Sequence, residues 1–117
     1  MTIIKSTPDL DSKTKYLLTR AKESMKVSDM AGAIVEIKDY AYFEEPRVNE
    51  STGEETTRHA LTFRDQAGTV YGTNSRTFID EFLYIVDLFG DNPRIKIIRG
   101  TARRSGREYV TCTIVDD

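Results

Sequence analysis

The sequence predicts a mainly β protein: a small five-stranded barrel with one helix between its third and fourth strands and another helix ahead of the first. Three observations carry that prediction. After Gly32, five segments alternate apolar and polar side chains with the period of two that a half-buried strand requires. Between the third and fourth of them, residues 75–89 switch to helical spacing, with capping residues in front and Gly90 behind. The resulting order of three strands, a helix and two strands is the chain order of an OB barrel. With 117 residues, 38% of them hydrophobic and including five Phe and six Tyr, the chain has material for one modest core. Residues 1–31 read as a helical extension and residues 32–117 as the barrel.

Taken in order, the run STPDLDSKTKYLLTRAKESMK offers Thr7 as a helix N-cap, with Pro8 at the first position and Asp9 and Asp11 near the positive end of the helix dipole. Leu18, Ala21 and Met25 give this helix a narrow apolar stripe, suited to packing on the barrel or to an oligomer contact. Ser28, Asp29, Ala31 and Gly32 form the turn into strand one, AGAIVEIKDYAYF. There Val35, Ile37, Ala41 and Phe43 share the inward parity and Glu36, Lys38, Tyr40 and Tyr42 the outward one, with Asp39 where a bend or bulge would sit. Pro46 is expected to end the ladder, and Thr52-Gly53 to tip a polar hairpin loop.

Strand two directs His59, Leu61 and Phe63 inward and Arg58, Thr62 and Arg64 outward. After the DQAG turn, strand three directs Val70 inward and Tyr71 and Thr73 outward; Gly72 reads as a bulge or as a close approach of ligand to backbone. In the second helix Phe78, Phe82, Ile85 and Phe89 repeat on one face, widened by Ile79, Leu83 and Val86. Ser75 or Thr77 caps it, Gly90 and Pro93 stop it, and its apolar character suits a plug for the barrel end. Strands four and five point Ile95, Ile97, Val110, Cys112 and Ile114 inward, and the TARRSG turn between them is one of the two loops that OB folds use to grip oligonucleotides.

The net charge of −2 hides a strong asymmetry. Residues 94–109 hold six basic side chains and one acid, whereas residues 44–55 hold five acids and one base; a polyanion responds to that local field rather than to the total. Catalysis is not expected. A single His and a single Cys, without a glycine-rich phosphate loop or clustered ligands, leave the toolkits of acid-base, nucleophilic and metal chemistry empty. Hence neither cofactor nor metal is expected, His59 reads as a half-buried structural residue and Cys112 as a core residue. One cysteine also excludes an internal disulfide, and without a leading apolar run a cytoplasmic location with no membrane partner is expected.

Binding chemistry is better represented. A sequence-tolerant single-strand binder needs cations along the phosphates and aromatic faces for the bases. The outward parity offers Tyr40 and Tyr42 on strand one, Arg58 and Arg64 on strand two, Tyr71 on strand three, and Lys96, Arg103, Arg104, Arg107 and Tyr109 around the last hairpin. A competing reading, motivated by net acidity and the acidic hairpin loop, is a barrel used as a protein adaptor or as an inhibitor of a replication or defence protein.

The pattern FRDQAGTVYGTNSRTF, an apolar helix and then IKIIRGTARRSGREYVTC resembles the compact single-stranded-DNA-binding proteins encoded by bacteriophages and mobile elements of Gram-positive bacteria. The likeness runs from about Gly32 to Val115. It implies an OB fold, binding of single-stranded DNA without strong sequence preference, and a role protecting or presenting single strands in replication or recombination. Apart from the resemblance, replication or recombination proteins are open as further partners, and a monomer or a homodimer built on the N-terminal helix or the edge of strand one is equally open. By position the likeness carries over Tyr71, Arg104, Arg107 and Tyr109 as contacts. Cellular proteins of this type recruit partners through an acidic tail, which the ending Val115-Asp116-Asp117 does not resemble; the acidic first hairpin loop turns the expected DNA path toward the basic hairpin.

Overall fold

A computed structural model describes residues 1–20 and 24–115. Along the chain these form β1 (Thr2–Ser6), α1 (Ser12–Thr19), β2 (Met25–Lys26), a single 3-10 turn (Val27–Asp29), β3 (Ile34–Val48), β4 (Glu55–Asp65), β5 (Val70–Thr73), α2 (Arg76–Phe89), β6 (Arg94–Thr101) and β7 (Glu108–Ile114). The protein is mainly β. Its strands make one curled mixed sheet in the order β2-β5-β4-β3-β6-β7, and β1 adds to β3. Every pairing is antiparallel except β2 with β5.

Strand β3 organises the sheet because it is long enough to change partners. Its first residues, Ile34 to Glu36, pair with β6, and Ala41 to Glu44 pair with β1. Along its other side β4 runs from Ile37 to Val48. The change of partner coincides with a register slip between Ile37 and Asp39, and an inserted residue in a period-two strand exchanges its faces. Val35 and Ile37 therefore point into the main core, and beyond the slip it is Tyr40 and Tyr42 that do so. The expected parity is corrected here: Ala41 and Phe43 turn to the opposite face, where they pack with Leu18, Ala60, Ile3 and Leu10. Both faces of this stretch are buried, so no simple alternation marks it in the sequence.

The same logic corrects β5. Tyr71 stands across from Phe63 and enters the main core, while Val70 packs against the smaller cluster. Pro46 does not end the ladder; β3 continues to Val48. Past Glu44 the β1 side of the strand is a free edge, where a missing N–H is tolerated.

Helix α2 closes the main core. Ser75 caps it, accepting from the Phe78 N–H at 3.4 Å, and Gly90 ends it at φ 93°. Phe78, Ile79 and Phe82 are fully buried, and the rings of Phe63, Phe78, Phe82 and Tyr71 stack in series. Each such side chain contributes about 2 kcal/mol by leaving water. Phe89, expected on the buried face, is 56% exposed beside Tyr84 and Leu88.

At the N-terminus the expected helix start is displaced. Asp9 takes a left-handed conformation at φ 59°, which interrupts any helix begun at Pro8. Asp11 caps α1 instead, its carboxylate accepting from the Thr14 N–H at 2.7 Å. The Thr7 hydroxyl accepts from the Tyr40 N–H at 2.9 Å, tying β1 to β3. Of the expected apolar stripe, Leu18 is fully buried, Met25 lies in β2, and Ala21 falls outside the described residues. The first 31 residues thus supply two strands as well as a helix.

Candidate functional site

Three of the tyrosines expected on the outer wall are core residues. Tyr40 is fully buried, edge-on to Phe82, and its hydroxyl donates to Asp91 at 3.4 Å. Burial first, and then the Asp91 carboxylate, hold that phenol well above its ordinary pKa. Tyr71 stacks on Phe63 and donates to Asp65 at 3.2 Å, and burial again raises its pKa. Tyr42 accepts a hydrogen bond from Arg76 Nη1 at 2.8 Å and lies 2.8 Å from His59 Nδ1. Arginine can only donate, so the phenol oxygen accepts from Arg76 while it stays within hydrogen-bond reach of the His59 ring. None of the three rings is free to stack a base.

The cations of β4 divide. Arg64 makes a two-point pair with Asp39, its cross-strand partner, at 3.1 and 2.5 Å. It belongs to the architecture of the bend. Arg58 is half-buried, and its Nε is enclosed without a hydrogen-bond partner among the described residues.

The hairpin of β6 and β7 keeps the expected surface. The strands pair from Ile95 and Ile114 to Thr101 and Glu108. The loop beyond them is closed by hydrogen bonds of 2.9 Å from the Ala102 N–H to Arg107 and from the Gly106 N–H to Ala102. Arg103, Arg104 and Arg107 project from this loop into solvent, and no ion pair engages them among the described residues. By contrast Arg94 pairs with Glu36 at 3.8 Å, and Arg99 pairs with Glu108 at 3.7 Å and donates to the Ser28 carbonyl. Tyr109, 39% exposed, lies flat over Gly100, where even a Cβ would come within 2.3 Å of its ring. Lys96 is exposed on the same face of the hairpin, since residues 96, 98 and 100 share one parity. The structure therefore brings Lys96, Arg103, Arg104, Arg107 and Tyr109 onto one hairpin and withholds Tyr40, Tyr42, Tyr71 and Arg64 from it.

A second feature lies across the sheet. A cleft of about 640 Å³ opens between α1, β2 and the outer faces of β3, β4 and β5. Leu18, Val27, Phe43, Ala60 and Leu61 form its apolar lining, and among the described residues Arg20, Lys26 and Arg58 bring positive charge against one carboxylate, that of Glu45. Gly72 lines it too. An added Cβ there would meet Ser24 Oγ at 3.0 Å, so the segment leading into β2 approaches the backbone closely at this position. Of this lining only Arg58 and Gly72 read in the sequence as candidate ligand contacts; Arg20 ends α1, and Ser24 and Lys26 arrive with the parallel pairing of β2 with β5, which has no local signature.

No family model fits the chain, and neither a curated protein nor a solved structure is significantly similar to it. Function must be argued from the surfaces themselves. Among the described residues no group of His, Cys, Asp and Glu is gathered to hold a metal ion, and no helix is long and apolar enough to cross a membrane. Cys112 is buried; burial, and secondarily Glu81, push its thiol up to about 12. Such a thiol carries almost no thiolate at neutral pH and is a packing residue.

Proposed function

We propose that the protein binds single-stranded DNA, without strong sequence preference, along the β6–β7 hairpin. The observation that carries this reading is the trio of solvent-facing guanidinium groups at Arg103, Arg104 and Arg107, without an ion pair among the described residues and set in one short loop beside the exposed ring of Tyr109. Arg64, Arg94 and Arg99 face carboxylates, whereas these three face none among the described residues. Guanidinium groups so placed are suited to phosphates, and an aromatic face alongside contributes about 1–3 kcal/mol for each stacked base. We read the strand pairings β3–β4, β4–β5, β3–β6 and β6–β7, with α2 between β5 and β6, as an OB-type barrel in which β2 occupies the free side of β5. On that reading the basic turn is the loop between barrel strands four and five, and replication or recombination is the natural setting.

Fluorescence titration of a labelled oligo-dT with the purified protein at low salt tests the proposal. Saturable binding is expected; its absence would refute it. A second reading, a protein adaptor, is favoured by one observation: Tyr84, Leu88 and Phe89 at the end of α2 are each more than half exposed. A stoichiometric protein partner that survives nuclease treatment and is lost in Leu88→Asp would support that reading in place of the first.

A further inference from the structure

The β6–β7 hairpin leaves the cleft beneath α1 without a role. Its size lies within the range of about 300–1,000 Å³ typical of small-molecule sites. Its interior is two-sided in chemistry. One part is apolar and well buried, formed by Leu18, Val27, Phe43 and Ala60. The other carries Arg20, Lys26 and Arg58, with the hydroxyls of Ser24 and Thr73 and the amide of Asn74 nearby. Thr62 is already spent, donating to the Leu18 carbonyl at 2.7 Å.

Arg58 is the decisive residue. A guanidinium nitrogen enclosed by protein normally has a hydrogen-bond acceptor, because burying an unpaired donor costs free energy. Arg58 Nε has none among the described residues, although Glu45 stands directly across from it in the β3–β4 ladder. Among the described residues three cations stand against one carboxylate in the cleft, and its walls can take a flat, weakly polar group beside an anionic one.

We propose that this cleft binds a nucleoside phosphate, with the phosphate held by Arg58, Lys26 and Arg20 and the base seated against Phe43 and Ala60. The site stands independently of the hairpin, since it shares none of the residues assigned there. Two sources supply the same chemistry, a free nucleotide and one unit of a nucleic-acid strand. The test is an NMR and calorimetric titration of the full chain with thymidine monophosphate, with thymidine and inorganic phosphate as separate probes. Saturable binding of the monophosphate is expected, tighter than either fragment, with amide shifts at Ser24, Gly72, Thr73 and Asn74. Arg58→Gln is expected to weaken it about tenfold, with Lys26→Gln as an independent second variant. Arg103→Ala is expected to leave it unchanged. Displacement by a short oligo-dT would assign the site to a strand, and failure to displace would assign it to free nucleotide. No saturable binding of the monophosphate, or wild-type affinity in both Arg58→Gln and Lys26→Gln with native melting curves, overturns the proposal.

Discussion

Asp39 and Arg64 carry the sheet through its change of direction. The Asp39 side chain is 7% exposed and that of Arg64 19%, immediately beyond the register slip in β3. Removing one partner of a pair this enclosed leaves an uncompensated charge, so Asp39→Ala should lower unfolding free energy by about 3 kcal/mol in urea denaturation. Tyr71→Phe removes one hydrogen bond to Asp65 and should cost about 1 kcal/mol. Because that ring lies in the core, oligonucleotide affinity should not change, although the residue is a natural candidate contact in the sequence. Titration gives a further prediction. Cys112, Tyr40 and Tyr71 all have pKa values raised in the folded state, so their neutral forms favour folding. Each contribution is complete below the unfolded pKa, ordinarily 9.0 for the thiol and 10.0 for the phenols, and is lost as pH rises through the higher folded value. Thermal melting should therefore hold steady through neutral pH and fall in alkali.

At the scale of elements, legibility followed exposure on one face. Strands β6 and β7 have one wet face, and their alternation located Ile95, Ile97, Cys112 and Tyr109 correctly. Helix α2 likewise declared itself through Ser75, Phe78, Phe82 and Gly90. Strand β3 was misread because a single inserted residue beside Asp39 exchanges its faces and both faces beyond are covered, one by α2 and the other by α1 and β1. Strands β1 and β2 are short and stabilised by distant partners, so local pattern could not reveal them. The hairpin offers an element-scale test. A side chain at position 100 must push the Tyr109 ring off its seat, so Gly100→Val and Tyr109→Ala should weaken oligonucleotide binding alike, with little change in its salt dependence. Equal affinity of both variants with wild type would remove Tyr109 from the interface.

For the molecule as a whole, the candidate site was legible where charge was local and lost where burial decided. The basic run could be read directly, because six cations with one acid in residues 94–109 form a field whatever the fold. Which of them remain outward depended on Glu36, Glu108 and the Ser28 carbonyl, partners that tertiary structure alone supplies. What remains is a compact cationic loop rather than a broad tyrosine wall, and this limits the number of phosphates it can neutralise. Each phosphate neutralised on a single strand adds about −0.7 to the slope of log affinity against log salt. Three arginines should give a slope of about −2.

The decisive measurement is that slope, determined by oligo-dT titration of wild type and of the Arg103→Ala, Arg104→Ala double variant across a range of salt. We expect the double variant to bind more weakly at low salt and its slope to be shallower by about 1.4. Equal affinity and equal slope in the two proteins would contradict the assignment of nucleic-acid binding to this hairpin.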